Sequence, residues 1–346
     1  MDTLALVESP AQLLHLLEWV HAAGAAERTR VAILAPVEAT SVAQLRVLAG
    51  YASDEHLHVD WFDARTSTAG RIGVLRTLAV AIRGARRLVI GDPFSGMIQA
   101  LLLAGHPSEV IVVDDGTATL EFASQLATGE PLRRWDAPPS AMEVARAPLA
   151  RNARRVFGAG RVRLFTVMPV AGLPASHVVR HSYDWTRRRF GPPRTFAGVD
   201  VVGSSLVESG VVRVEPYLET LVHIAAQAGR PGRYFAHRKE TDAKLADVAR
   251  VTGLRVVRPD VPLEVELRRG PVASVLATFP SSVGYTLPLV LAGVGTRISY
   301  QPVPAGMLTP RVGDTARRFL DRLSDDLGLN NQGDLAAGLV TLSASA

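Results

Sequence analysis

The chain reads as an α/β protein of two doubly wound, Rossmann-like domains. Three observations predict this. Short apolar runs alternate with helical patterns, the mark of a parallel sheet with helices on both faces. The alternation runs once before a basic, proline-broken interval and once after it. At 346 residues the chain is also too long for one small core and suits two domains of ordinary size.

The first series opens with the apolar strand Leu4–Val7, then Glu8-Ser9-Pro10-Ala11-Gln12 and a helix carrying Leu13, Leu14, Leu17 and Val20. Ser9 fits a helix N-cap with Pro10 in the first helical position. Strands follow at Val31–Ala35, His58–Phe62, Arg87–Ile90 and Val110–Val113, with helices at Val42–Leu48, Gly73–Ile82 and Met97–Ala104. From Thr128 to Arg161 the pattern loosens around Pro131, Pro138 and Pro139. A helix is expected from Ser140, ended or kinked by Pro148. Arg180 to Pro193 reads as irregular, and the domain boundary is placed there, giving domains 1–190 and 191–346.

The second series has strands at Asp200–Val202, Arg233–Ala236, Arg255–Val257, Ala273–Ala277 and Arg297–Gln301. Helices are expected at Pro216–Ala226, Lys244–Val251, Tyr285–Leu291 and Asp314–Ser324, and the tail from Asn330 is weakly specified. Two such domains in series predict a cleft between them that holds the active site.

Composition excludes several classes. The chain is 47% hydrophobic and 21% charged, as soluble globular proteins are. With no cysteine, disulfides, thiolate metal sites and thiol redox chemistry are ruled out. Met1-Asp2-Thr3-Leu4 lacks the basic start of a signal peptide, and no apolar run reaches the roughly 18 to 20 residues of a membrane span. A cytoplasmic location is expected, with a peripheral seat on the inner face of the cell membrane left open. Net charge is +5, and Lys239 and Lys244 are the only lysines. Either a GC-rich genome or an anionic partner accounts for the arginines.

Three strand ends carry chemistry. Glu109-Val-Ile-Val-Val113 runs into Asp114-Asp115-Gly116, and ligands of open α/β sheets bind just beyond the carboxyl ends of strands. Asp-Gly is also a common turn, so this motif has a plain structural reading. Arg233–Ala236 runs into His237-Arg238-Lys239-Glu240, and Ala273–Ala277 into Thr278-Phe279-Pro280-Ser281-Ser282. The serines fit a helix N-cap, which does not exclude phosphate binding there. Ser9 and Gln12 are capping residues first, and Asp92 with Ser95 fits a turn.

Taken together, these motifs resemble the bacterial GT-B sialyltransferases, most closely the lipooligosaccharide sialyltransferase and capsular polysialyltransferase families. Those carry an acid-acid-Gly motif, then His-Pro, then Ser-Ser/Thr, in that order. Ser9-Pro10-Ala11-Gln12, Val202-Gly203-Ser204-Ser205-Leu206-Val207-Glu208 and Pro262-Leu263-Glu264 also look like family segments, and the likeness covers roughly residues 4 to 300. Arg238 departs from it by standing where the family has Pro.

The resemblance implies an inverting transfer of sialic acid, or a related acidic sugar, from a CMP donor to a hydroxyl of a glycan or glycolipid. Asp114 would be the general base, with Asp115 tuning it. His237, counted with the two acids as catalytic, would hold or protonate the CMP phosphate, and Ser281 and Ser282 would bind it, with Gly116, Gly203, Arg238, Lys239 and Glu264 around the donor. Ser9, Gln12 and Asp92 would lie toward the acceptor. No metal, cofactor or nucleic acid is expected, and oligomeric state is left open. The rival readings are a GT-B enzyme using a UDP-sugar and a non-catalytic protein that binds sugar nucleotides or polyanions.

Overall fold

The computed structural model describes residues 2–63, 65, 67–105, 107–134, 141–158, 160–227, 232–310, 312–327 and 341–342. The chain divides into two compact units, Met1–Trp185 and Thr186–Ala346.

In the first unit the order is β1 (Thr3–Val7), α1 (Pro10–Ala23), β2 (Thr29–Leu34), α2 (Ala39–Asp54), β3 (His58–Phe62), α3 (Thr68–Gly84), β4 (Arg87–Ile90), α4 (Gly96–Leu101), β5 (Glu109–Val113), α5 (Ala118–Thr128), α6 (Ala141–Gly158), β6 (Val162–Thr166) and β7 (Val178–Arg180). The strands form one parallel sheet in the order β3-β2-β1-β4-β5-β6-β7. Every residue of β1 is buried, as a central strand covered on both faces requires. The order reverses direction between β1 and β4. That is the point where an open sheet leaves a crevice beyond its strand ends.

A short helix, α7 (Asp184–Phe190), carries the chain into the second unit. There follow β8 (Thr195–Val202), α8 (Val214–Gln227), β9 (Arg233–Phe235), α9 (Asp242–Thr252), β10 (Arg255–Val257), α10 (Leu263–Arg269), β11 (Val272–Thr278), α11 (Val283–Val290), β12 (Arg297–Tyr300), α12 (Asp314–Asp326) and β13 (Thr341–Leu342). The sheet order is β10-β9-β8-β11-β12-β13, parallel except for β13. Its reversal lies between β8 and β11. The predicted fold class, two Rossmann-like α/β domains, is therefore the observed one.

Three local expectations are corrected. Beyond the loosened interval come β6 and β7, in a stretch to which the sequence assigned no element, and α7 lies in the stretch read as irregular. Pro148 sits inside α6 without ending it. Its missing N–H costs one helical hydrogen bond, but Ala153, Val156 and Phe157 are buried in the core with Phe122 and Leu164, and that packing holds the helix. The expected helix start at Ser140 lies outside the described residues, as do Pro138, Pro139 and most of the tail from Asn330. Among the described residues no helix is long and apolar enough to cross a membrane.

Candidate active site

Beyond the carboxyl ends of β1, β4 and β5 the first unit gathers three carboxylates: Glu8, Asp92 and Asp115. Ser9 caps α1 as predicted, its hydroxyl accepting from Gln12 N at 3.3 Å. The same hydroxyl donates to Asp115 Oδ1 at 3.3 Å, which ties the start of α1 to the end of β5. Gln12 is buried over Gly91, and its Oε1 accepts from Glu8 N at 2.8 Å. The Ser9 cap and the Gln12 bond to the Glu8 backbone thus meet at the sheet reversal. Asp92 forms a turn, accepting from Phe94 N at 2.9 Å, and is paired with Arg134 at 2.5 Å.

Burial raises the Asp92 carboxyl to about 6. The Asp115 and Glu8 charges add to the rise, and Arg134 opposes it. Burial also raises the Glu8 carboxyl, with Asp115 adding to it against Ser95 and Arg65. Arg65 meets Glu8 at 2.7 Å. Glu8 was not singled out in the sequence. Its place directly after β1, at the switch point, was the available signal.

The two acids of the motif part company. Asp115 is half-buried, its N–H donating to Thr119 Oγ1 at 3.0 Å. Gly116 then takes φ +62°, a left-handed turn open to glycine at little cost, and it aims the chain into α5. Asp114 is 0% exposed. One oxygen accepts from Val167 N at 2.7 Å and lies 3.8 Å from His181 Nε2. A general base must come within hydrogen-bond reach of the hydroxyl it deprotonates. Asp114 presents no surface to an acceptor in this arrangement, whereas the half-buried Asp115 does. Burial would raise its pKa. The His181 and Thr166 hydrogen bonds and the charges of His15 and His181 outweigh that and hold it below the usual carboxylate value.

Behind Asp114 lies a buried aromatic and imidazole cluster. His181 stacks on Phe165 with ring centres 4.5 Å apart. His15 Nδ1 is 3.3 Å from His181 Nε2, and His15 Nε2 is 3.3 Å from the Tyr183 hydroxyl. Burial lowers the His15 pKa to about 4, against the pull of Asp114 and helped by His181. Tyr183 holds φ +59°, a strained value for a bulky residue. Ligand atoms of His15, Asp114 and His181 all lie within 4.8 Å of one another, close enough for a metal ion. However, the Tyr183 N–H donates to His181 Nδ1 at 3.4 Å, which leaves the ring proton on Nε2, the atom that would have to ligate. The cluster is wired as a hydrogen-bonded chain.

A depression of about 380 Å³, lined by Arg28, Arg86, Arg87 and Arg163 among others, lies at the amino ends of β1, β4 and β5. That is the opposite edge of the sheet from the carboxylates, where ligands of open α/β sheets do not bind.

In the second unit the ends of β8, β9 and β11 carry Gly203-Ser204, His237 and Ser281-Ser282. His237 to Glu240 is a tight turn, closed by Glu240 N donating to His237 O at 2.9 Å. Within it, Lys239 N donates to His237 Nδ1 at 3.2 Å. Burial lowers the His237 pKa to about 4, with Arg238, Lys239 and Lys244 adding their charges. A value that low favours the neutral ring, which has one N–H to donate. Arg238 is half-buried and Lys239 exposed, both beside it.

Under the turn sits a polar network that the sequence reading missed. Tyr217 and Tyr234 share a hydrogen bond of 2.8 Å between hydroxyls, and Tyr234 donates to Glu240 Oε1 at 2.6 Å. Lys244 is 4% exposed and reaches Glu240 at 2.7 Å, Glu208 at 3.2 Å and Ser204 O at 3.1 Å. Burial is the main cause of the raised Tyr217, Tyr234 and Glu240 pKa values. A Cβ on Gly203 would lie 2.4 Å from Glu240 Oε2, so any side chain here has to displace that carboxylate. Lys244 was the available signal, being one of two lysines in a chain that otherwise uses arginine.

Ser282 occupies the N-cap position of α11, but its hydroxyl makes no capping hydrogen bond. Ser281 O and Ser282 O accept from Gly284 N and Tyr285 N. The serine hydroxyls are therefore not spent on capping, contrary to the plain structural reading. Glu264, at the start of α10, accepts from the Thr286 hydroxyl at 2.8 Å, and burial raises its pKa. Thr286 belongs to α11, so Glu264 is anchored to the helix that follows the two serines.

Neither a protein-family model nor a curated protein matches the sequence. Solved structures do share the fold. An α/β-galactoside α-2,3-sialyltransferase of Photobacterium phosphoreum aligns with TM-score 0.53 and 11% identity over 95% of this chain and 96% of that chain. A 2,6-sialyltransferase of Photobacterium sp. JT-ISH-224, solved with CMP and lactose, aligns with TM-score 0.50 and 11% identity over 95% and 76%. A UDP-GlcNAc 2-epimerase of Neisseria meningitidis, bound to UDP-GlcNAc, aligns with TM-score 0.51 and 9% identity over 96% and 92%. At these identities the likeness is one of fold.

Proposed function

We propose that the protein is an inverting glycosyltransferase that moves sialic acid, or a related acidic sugar, from its CMP donor to a glycan hydroxyl. The observation that carries this reading is the division of chemistry between the two sheet reversals. One presents carboxylates, with Asp115 half-buried among Glu8 and Asp92. The other presents an imidazole, an arginine, a lysine and two serine hydroxyls. Carboxylates suit proton removal from an acceptor, and the second set suits a departing phosphate.

In the reaction the acceptor oxygen bonds to the anomeric carbon as the bond from that carbon to the CMP phosphate oxygen breaks. Asp115 takes the hydroxyl proton, and the electron pair leaves with CMP. His237 holds the phosphate through Nε2–H, assisted by Ser281, Ser282, Arg238 and Lys239. Glu264 binds the cytidine or its ribose. Ser9 holds the Asp115 carboxylate in place. Neither step is assigned to a metal. Glycan or glycolipid acceptors suit the arginine-rich composition.

The fold shared with the meningococcal epimerase supports a second reading, an enzyme of UDP-sugars. Thermal-shift titration with CMP, CDP, UMP and UDP separates the two. Stabilisation by CMP, followed by transfer from CMP-sialic acid to a labelled glycan, is expected. Stabilisation by UDP and not CMP would replace the donor assignment.

A further inference from the structure

We propose that Glu240 is a positioning residue that sets the His237 turn, so that the imidazole presents its Nε2–H outward to the leaving phosphate. This deepens the functional reading above and rests on it for the identity of the phosphate. The geometry of the turn stands by itself.

The two carboxylate oxygens of Glu240 have separate tasks. Oε1 is held from beneath by Tyr234 Oη at 2.6 Å and Lys244 Nζ at 2.7 Å. Oε2 accepts from His237 N at 2.7 Å. The buried network thus fixes one oxygen, and the other grips the backbone of the residue that would touch substrate. Gly203 lets the carboxylate pass, since any Cβ there would displace Oε2. Closure by Glu240 N on His237 O then brings Lys239 N to His237 Nδ1 at 3.2 Å. A backbone N–H can only donate, so Nδ1 must be the unprotonated nitrogen and Nε2 carries the hydrogen. One buried carboxylate therefore decides the ring's tautomer through the turn.

Arg238 occupies the second position of this four-residue turn, where proline is favoured because its fixed φ is already that of the turn. The chain uses arginine there, and the buried carboxylate supplies the stiffness that a proline ring would give.

The variant Glu240→Gln isolates the role. Its amide oxygen can still serve Tyr234 and Lys244, and Lys244 penalises the flipped amide. The amide nitrogen then faces the His237 N–H, donor against donor, and the turn opens. The test is the 15N shift pattern of the His237 ring, assigned by its absence in His237→Gln, together with steady-state kinetics. Wild-type protein without ligand is expected to show the Nε2–H tautomer. An Nδ1–H tautomer overturns the proposal, and this reading needs no variant to fold. Glu240→Gln is expected to mix the tautomers and to lower kcat by tenfold or more, with less than a threefold change in donor KM. Adding Arg238→Pro to Glu240→Gln is expected to restore the Nε2–H pattern. Wild-type ring shifts and kcat in Glu240→Gln, or no restoration by proline, overturn the positioning role. Absence of transfer from any CMP-sugar would defeat the functional reading, while the ring shifts would still decide the wiring of the turn.

Discussion

The Ser9 hydroxyl lies 3.3 Å from Asp115 Oδ1 and the same distance from Gln12 N, so one side chain caps α1 and steadies the half-buried acid of β5. Two sequence motifs 106 residues apart meet in that oxygen. The meeting also explains why the pair Asp114-Asp115 is asymmetric. Asp115 turns toward Ser9 and the strand-end crevice, and Asp114 turns into the protein toward Val167 and His181.

Asp115→Asn should fold normally and lose transfer by about 10²- to 10⁴-fold, the usual worth of a general base. Transfer from CMP-sialic acid at saturating acceptor measures it. Activity within threefold of wild type would remove Asp115 from the mechanism.

Asp114→Ala should act on stability. It leaves the Val167 N–H and His181 without their partner, and such an orphaned buried group costs about 1–3 kcal/mol. Urea unfolding monitored by circular dichroism gives the number. A variant as stable as wild type but inactive would return the base to Asp114.

Stability should fall on mild acidification because of His15. Its folded pKa of about 4 lies below the ordinary 6.5. The unfolded chain therefore takes up the proton first, and the contribution is complete above pH 6.5 and lost as pH falls toward 4. Burial from α1, with Asp114, His181 and Tyr183 facing the ring, sets that window. His15→Gln should flatten the pH dependence of the unfolding free energy between 6.5 and 4. An unchanged slope would show that another group carries it.

Asp92 should behave in the opposite sense. Its folded pKa of about 6 lies above the ordinary 3.8, so its contribution is full below 3.8 and disappears as pH rises through 6. Asp92→Asn keeps an acceptor for Phe94 N and should raise Tm at pH 8 while leaving it unchanged near pH 4. A lowered Tm at pH 8 would mean that the Arg134 pair outweighs the burial of the charge.

Gly203→Ala should destabilise the second unit by about 1–3 kcal/mol, the typical cost of forcing an added group into a packed site. The added carbon would stand 2.4 Å from Glu240 Oε2 and 2.6 Å from Tyr234 Oη. Thermal melts of the variant beside Gly210→Ala, where nothing lies within 4 Å but φ is +69°, separate collision from backbone strain.

Much of the fold was legible because its signals are local. The apolar run Glu109–Val113 is a central strand whose neighbours do not alter what it must be, and Ser9-Pro10 starts a helix wherever it stands. β6 and β7 escaped because Val162-Arg-Leu-Phe-Thr is interrupted by arginine and Val178-Val-Arg has only three residues, and pairing of β6 with β5 and of β7 with β6 is what makes them strands. The helix of α6 was expected, but its continuation past Pro148 was not, because proline outweighs the local pattern until Ala153 and Phe157 find a core.

By itself the sequence determined the two α/β series, the strand ends where chemistry gathers, and the residue types present there. Those follow from periodicity and turn chemistry within a few residues. Which acid of Asp114-Asp115 meets solvent, that Glu8 and Asp92 join Asp115, and that Glu240 grips the His237 turn were decided only by the tertiary structure. Successive residues past a strand end point in different directions, and burial, hydrogen-bond partners and pKa are properties of what other segments bring to the same place.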